Sequence, residues 1–496
     1  MGSPEASRAV DGAGRGGSTL GSRQLAAMLP DPAGSRPAYR HLARAIGALI
    51  LDGRIALHVR LPAEREMAAA LGTSRATITA VYDLLRESGH ARSRQGAGTW
   101  TALPEGRAPS GVTRALGLPG AAIDLARASL GLPEQTLADA LARVAPRLAE
   151  HAHTPGYHPY GLPELRAVVA ERFTRRGLPT VPDQVLVTSG AQHALTLVLG
   201  LLAAPGDRIA VENPSYPNAL EAIRRARLRT VAVPVADTGW DTGIVASTLR
   251  QAVPRLAYLI PDFHNPTGCL MPAGERARVL RAAQHAGTWL VVDETLTELA
   301  LDVPAPAPFA SHAPAGGTGQ VVTIGSMSKT HWAGLRVGWL RAPSRLVTEL
   351  AAQRVASDMG GSVLDQLLAL DLLSAADGGP LPDRLVRLRG QRAALTAALA
   401  AELPHWRWQL PPGGLSLWVD LGAPVASALA ERVLDHGVRI EGGAHFATDP
   451  GIFEQRLRIP YTAPPDTLRE AVRRLAAALA DGLPPPAAAG RQHWIA

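Results

Sequence analysis

Apolar residues recur at helical spacing in the first hundred positions. Tyr39, Leu42, Ala43, Ile46 and Ile50 fall on one face and predict an amphipathic helix that ends near Gly53. A shorter helix starts at Leu61-Pro62, carries Met67, Ala68 and Leu71, and stops at Gly72. Ser74 then stands where an N-cap is needed. The helix behind it has Ile78, Val81, Tyr82 and Leu85 on its inner face and ends at Gly89. Ala91–Arg94, the turn Gly96-Ala97-Gly98 and Thr99–Thr101 read as a small β-wing. Helix, helix-turn-helix and wing make a winged helix-turn-helix over residues 36–102.

Further on the pattern changes. Residues 123–482 alternate short apolar runs with longer helical stretches, which predicts an α/β unit with a mostly parallel sheet. Expected strands are Val185–Thr188, Arg208–Val211, Ala257–Ile260, Trp289–Asp293, Val321–Ile324 and Val337–Leu340. Leu415–Asp420 and Leu457–Ile459 lie beyond a long helical stretch and are assigned to a smaller C-terminal α+β subdomain. Residues 1–35, rich in Gly, Ser, Ala and Arg, read as a disordered tail. Residues 103–122, mixing Pro, Gly, Ala, Ser and Arg, read as a linker, and 483–496 as a loose Pro/Ala-rich tail.

Charge sharpens the first unit. Residues 36–100 hold ten arginines against five acidic residues, so +5 of the chain's +7 sits there. The basic residues fall where each element of a winged helix meets phosphate. A single cysteine, Cys269, excludes an internal disulfide framework and fits a reducing, cytoplasmic setting. No apolar run is long enough to span a bilayer, and the start of the chain lacks the apolar segment of a signal peptide. The stretches Leu61-Pro62-Ala63-Glu64-Arg65-Glu66, Leu71 to Thr77 and Arg94-Gln95-Gly96-Ala97-Gly98-Thr99 resemble the GntR-type DNA-binding domain. That resemblance implies DNA contacts at Arg65, Arg75, Thr77 and Gly96, and position adds Ser74 at the start of the third helix and Arg94 on the wing. Ala63 departs from the serine common there, so a helix cap is expected to be missing.

The second unit turns on one residue. Of 50 Lys+Arg residues only Lys329 is a lysine. A guanidinium keeps its proton and forms no ordinary Schiff base, whereas a lysine amine can. Around it are groups suited to pyridoxal 5'-phosphate. Ser189-Gly190-Ala191-Gln192 opens a helix after a strand, a place where backbone N–H groups bind phosphate. Ser326, Ser328 and Arg336 can add donors and charge. Asp293 ends an apolar strand and is either a turn former or the carboxylate that keeps a pyridine nitrogen protonated. Asn265-Pro266-Thr267-Gly268 is either a plain turn or a donor to a ring oxygen. Tyr216 is either a core aromatic or a stacking platform.

Together with Gly156 to Arg166 and Leu457-Arg458-Ile459, the order and spacing of these stretches resemble the fold-type I, class I aminotransferases. The resemblance implies that Lys329 carries the cofactor as a Schiff base and Asp293 pairs with the pyridinium. It implies that Asn265 holds the ring oxygen, Tyr216 stacks, and Ser189, Gly190, Ala191, Gln192, Ser326, Ser328 and Arg336 hold the phosphate. It also implies that Tyr157 reaches a phosphate in the neighbouring subunit of a homodimer and Arg458 clamps a substrate carboxylate.

A GntR-like head joined to such a body resembles the MocR/GabR regulators. The implied function is a DNA-binding transcription regulator that senses an amine or amino acid through its cofactor. The alternative is an active aminotransferase with an accessory DNA-binding domain. One departure stands out. The family places a tyrosine two or three residues after the aspartate, where it bonds the ring oxygen; here those positions are Thr295 and Leu296. Losing a hydrogen bond to a charged oxygen changes its stability by about 1.5–3 kcal/mol. Effector exchange with Lys329 is therefore expected to survive while amino transfer is slow.

Overall fold

The computed structural model describes residues 19–29, 38–94, 98–103, 123–313, 320–375 and 383–482. The readings of 103–122 as a linker and of 483–496 as a tail concern segments that lie, but for Leu103, outside the described residues. The chain divides into two units, Met1–Ile50 with Ile55–Glu105, and Leu51–Arg54 with Gly106–Ala496.

In the first unit the helices run Ala38–Leu51, Glu64–Leu71 and Arg75–Glu87. Ser74 caps the third through its side chain, which accepts from the Thr77 amide at 3.1 Å. Ala63 offers the second helix no side-chain cap, as its methyl group dictates, and Gly72 closes that helix with φ 61°. Ile78, Val81, Tyr82 and Leu85 bury against Leu42, Ile46, Ile50 and Met67. The wing pairs Ala91–Arg94 with Gly98–Thr101 in antiparallel register. Arg86 Nη1 donates to Ser93 Oγ at 3.1 Å, tying the wing to the third helix.

The expectation of a structureless segment over 1–35 fails at Ser22–Ala27, which form a six-residue helix. Leu25 is fully buried in the same core, and the Leu20 amide donates to Arg60 O at 3.0 Å. Six residues are too few to display a period, and Gly21 supplies no side-chain cap, so the sequence carried no signal for this helix.

In the second unit eight strands form one sheet. Their order is Val185–Thr188, Gly338–Arg341, Val321–Ser326, Trp289–Asp293, Leu256–Leu259, Arg208–Asn213, Arg229–Ala236 and Gly239–Trp240. Gly338–Arg341 and Gly239–Trp240 pair antiparallel with their neighbours. The central pairs are parallel, so their connections cross over through helices and both faces are covered. Alternate residues feed two cores: Leu290 and Val292 enter one, Val291 the other. The strand Arg229–Ala236 went unpredicted because Arg229, Thr230 and Pro234 interrupt its apolar alternation.

A third core belongs to the C-terminal subdomain. Its sheet runs Arg407–Trp408, Ser416–Asp420, Arg456–Pro460, Glu441–Gly442. Leu388, Leu395 and Leu399 of the helix Arg384–Glu402 pack with Leu468, Val472 and Leu475 of Pro465–Ala480.

Truncating Leu25 to alanine is expected to destabilise the first unit by about 2–4 kcal/mol, the usual range for a buried leucine. Denaturant unfolding of the full chain reads this. An unchanged transition would mean that Ser22–Ala27 does not pack in solution.

Candidate functional site

Parallel strands that point the same way deliver their C-terminal ends to one edge, where ligands of open α/β sheets bind. Ser189 follows the strand ending at Thr188, Asp293 ends its own strand, and Ser326 ends the next. Asn265 follows Leu256–Leu259 after a short turn. A buried network beneath fixes that turn. Glu212 accepts from Trp240 Nε1 and from the Ile260 amide, both at 2.7 Å, while His264 Nδ1 lies 2.9 Å from Thr267 Oγ1.

Lys329 sits in a single π-helical turn, Ser328–Trp332, just past the Ser326 strand end. Its Nζ donates to Ala128 O at 2.7 Å. Removal from water, and next the positive charge of Arg458, pull the amine down to about 8, while Asp293 opposes them. Asp293 is itself buried. Its Oδ2 accepts from Tyr258 Oη at 2.7 Å and its Oδ1 from the Thr295 amide at 3.0 Å. Burial raises its pKa, and the Thr295 and Tyr258 hydrogen bonds and the Lys329 charge hold it back. Tyr258 was not foreseen. It is a tyrosine in an aliphatic strand, and only the sheet register shows that it lies beside the Asp293 strand.

Arg458 is buried on Arg456–Pro460. It donates to Ala126 O and, at 3.5 Å, to Asn265 Oδ1, and its guanidinium carbon lies 4.8 Å from the Phe446 ring centroid. Burial lowers its pKa to about 10, which still leaves it charged near neutral pH. Because the Asn265 carbonyl oxygen is turned to Arg458, its amide N–H groups are left for another acceptor. Arg458 Nε is buried with no acceptor among the described residues.

The anion end of the cluster is built on the helix Ala191–Leu202. Gly190 caps it with φ 90°, and a Cβ there would stand 3.0 Å from Arg336 Nη2. Arg336 Nη2 donates to Ser189 O at 2.8 Å. Ser326 Oγ and Ser328 Oγ are 2.9 Å apart. Gln192 Nε2 donates to Asn218 O at 2.9 Å, and Asn218 Nδ2 to Tyr216 Oη at 2.8 Å. Ser189 Oγ is turned to Asp358 Oδ2 at 3.3 Å, and its amide donates to His193 Nδ1 at 3.2 Å; neither Asp358 nor His193 was marked by the sequence. Tyr157 is 63% exposed, and no hydrogen bond among the described residues joins it to the cluster.

These groups fit pyridoxal phosphate on their own chemistry. Asp293 is a buried carboxylate that no Arg or Lys of the described residues neutralises at contact distance, which suits a pyridinium. A glycine hinge, a helix start and an arginine suit a phosphate. Gln192 Oε1, Ser215 Oγ and Arg458 Nε are buried polar atoms without partners among the described residues. Leu296, at a position where the family has its phenol, is buried in the apolar core with Phe263 and Leu299.

In the first unit, Arg65, Ser74 and Arg75 are exposed. Arg75 Nε pairs with Glu64 Oε2 at 3.3 Å with its side chain 74% exposed. Ser74 Oγ lies 2.8 Å from Thr77 Oγ1. Gly96 and the Arg94 side chain fall outside the described residues.

The fold and the lysine-centred cleft define a class: pyridoxal-phosphate-dependent proteins of the aminotransferase fold, here in a chain with a winged helix-turn-helix. Residues 123–475 match the family model for aminotransferase class I and II, and 38–100 the model for bacterial regulatory proteins of the gntR family. The probable rhizopine catabolism regulatory protein MocR of Rhizobium meliloti is 31% identical over 75% of this chain and 78% of its own. The HTH-type transcriptional regulator TauR of Rhodobacter capsulatus is 30% identical over 90% and 98%. Among solved structures, α-aminoadipate aminotransferase LysN of Thermus thermophilus, complexed with N-(5'-phosphopyridoxyl)-L-leucine, aligns at TM-score 0.68 and 31% identity, covering 73% of this chain and 92% of that one. The chain belongs to the MocR-type transcription regulators, in which a gntR-family DNA-binding segment is fused to an aminotransferase domain, and its cofactor is pyridoxal phosphate.

The lysine pKa has a direct consequence. With a midpoint near 8, Lys329 is expected to react with a small neutral aldehyde and cyanoborohydride in a pH profile centred there, far below that of a solvated lysine. Asp293→Asn should move the midpoint lower, because the negative charge of the carboxylate is what raises it. A profile centred near 10, read by mass spectrometry at Lys329, would contradict this.

Proposed function

We propose that this protein is an effector-responsive regulator: an amino compound engages the cofactor held at Lys329 and changes the affinity of the chain for DNA. The observation that carries the reading is the chain's single lysine, withdrawn from water to a pKa of about 8 between Asp293 and Arg458, on a polypeptide that also bears a gntR-family segment. Pyridoxal phosphate, when bound, supplies an aldehyde for the amine and a ring that withdraws electrons once its nitrogen is protonated. The chain's own residues do the rest. Asp293 holds a proton at that nitrogen, Asn265 offers its amide to the ring oxygen, and Tyr216 covers a face. Gly190, Ala191, Gln192, Ser326, Ser328 and Arg336 receive the phosphate, joined by Ser189 once its hydroxyl turns from Asp358. Arg458 receives a carboxylate of the effector through a guanidinium already oriented by Ala126 O and Asn265.

Sensing rather than turnover is favoured by Thr295 and Leu296. The Thr295 amide is spent on Asp293, and Leu296 has no donor, so Asn265 is left to serve the ring oxygen. Binding and release of an amine do not need the missing phenol, whereas each step of amino transfer depends on the electron balance it would set. Any shift in DNA affinity caused by the effector must be matched by an equal shift in effector affinity caused by DNA. The protein acts in the cytoplasm as a homodimer, Tyr157 serving the neighbouring subunit.

On a specific promoter fragment, Arg75→Ala is expected to lose about 1–3 kcal/mol if Arg75 reads a base. An equal loss on random DNA would assign it to phosphate. Arg458→Ala should abolish the spectral response to carboxylate-bearing amines and leave cofactor uptake intact; an unchanged titration would remove its role. Sustained multiple-turnover amino transfer without sequence-specific DNA binding would overturn the regulatory reading in favour of a metabolic enzyme.

A further inference from the structure

The edge of the large sheet opposite the cofactor cleft carries a second concentration of charge. Of three neighbouring parallel strands, two start there with arginine and the third starts one residue after one. Arg208 and Arg229 are register partners at the first rung. Arg255 precedes the next strand by one residue, its amide donating to Arg208 O at 2.8 Å. All three are exposed. They line one cavity of about 470 Å³ with Gly206, Asp207, Val253 and Gly287. Arg227, also exposed, flanks the rim, its carbonyl accepting from the Gly206 amide at 2.8 Å.

Adjacent strands lie about 5 Å apart, and like charges placed side by side on a sheet are destabilising. Elsewhere the chain pairs its arginines with carboxylates freely, as at Arg143–Asp371 or Arg224–Glu221. At this edge no described carboxylate pairs with Arg208, Arg227, Arg229 or Arg255. The one acid in the lining, Asp207, is turned to the Ala204 amide at 2.9 Å. Helices Ala191–Leu202 and Thr242–Ala252 end nearby, and their last carbonyls explain part of the arrangement. Arg255 Nε donates to Leu202 O at 2.9 Å and Arg208 Nη1 to Ala252 O at 3.0 Å. Those bonds use one donor from each and orient the two guanidinium planes. They do not explain Arg229, whose guanidinium has no acceptor among the described residues.

We propose that this ledge is a binding site for phosphate groups, separate from the cofactor's phosphate cup. A phosphate presents several acceptor oxygens and more than one negative charge, which matches converging planar donors better than a single carboxylate does. The phosphate comes either from the DNA backbone or from a free phosphorylated small molecule. The site does not depend on what the cofactor cleft senses.

The test uses the full chain loaded with pyridoxal phosphate, so that the cofactor cup is filled, and inorganic pyrophosphate as probe. Calorimetry is expected to show binding that weakens at least tenfold in the double variant Arg229→Gln/Arg255→Gln and is unchanged in Arg250→Gln, an exposed arginine outside the lining. Arg229→Gln alone, which breaks no side-chain bond among the described residues, should give a smaller loss in the same direction and guards against misfolding of the double variant. A parallel titration with duplex DNA separates the sources. If the DNA backbone is the ligand, the slope of log affinity against log salt falls by about 2 in the double variant. If the slope is unchanged while pyrophosphate binding is lost, the ligand is a free phosphate compound. Equal pyrophosphate affinity in wild type and double variant with an unchanged slope overturns the proposal, as does an equal loss in Arg250→Gln.

Discussion

One amine kept out of water sets the conditions for the rest of the large unit. A solvated lysine is almost wholly protonated at neutral pH and is a poor nucleophile toward a carbonyl. Burial lowers the Lys329 pKa to about 8, the Arg458 charge pushes the same way, and Asp293 pulls back. That balance needs three groups from three separate stretches of chain held at fixed distances. Parallel strands bring Asp293 and Lys329 to one edge whatever lies between them in sequence, and the strand Arg456–Pro460 of the C-terminal subdomain adds Arg458. Arginine could not stand in for the residue, and in a chain with 49 arginines for one lysine the ε-amine that can condense with an aldehyde is found at this edge and nowhere else.

Two adjacent acids show how the strand end divides labour. Asp293 and Glu294 are equally buried. Glu294 is matched by Arg176 at 3.1 Å and by the Phe309 amide at 2.7 Å, an ion pair that closes on itself. Among the described residues Asp293 has only Tyr258 and Thr295 as hydrogen-bond partners, both neutral. An unpaired buried carboxylate is costly. It is tolerable where a cation is expected, and neutral donors orient it without cancelling its charge. The first acid is thus reserved for a ligand and the second for the fold.

The sequence disclosed what is local and hid what depends on register. Ser74, Gly72 and the Ile78–Leu85 face were legible because caps and a 3.6 period are written within a dozen residues. Strands such as Val185–Thr188 and Trp289–Asp293 were legible from continuous apolar runs. Site positions such as Lys329, Asp293 and Asn265 stood out through residue type and motif order. Tyr258 as a donor to Asp293 was not legible, since its meaning comes from the strand beside it. Ala126 and Ala128 were hidden for a different reason: they act through backbone carbonyls, which no side chain advertises. Asp358 was hidden too, lying 169 residues from the serine it accepts from.

A doubly wound sheet has two ends, and the chemistry of each follows from helix direction. At the cofactor edge helices begin, so N–H groups and partial positive charge face a ligand, and few side-chain cations are required to hold a phosphate. At the other edge helices finish, and their last carbonyls attract donors. Arg208 and Arg255 answer that need, as arginine or lysine near a helix C-terminus commonly does. Had capping been the whole of it, one arginine per helix end would suffice, and a carboxylate nearby would do no harm. The excess of guanidinium over acceptor, centred on Arg229, is what capping leaves unexplained. It places positive side-chain charge at the end of the sheet where the backbone itself would repel an anion, so that any phosphate bound there is held by side chains rather than by the fold's own dipoles.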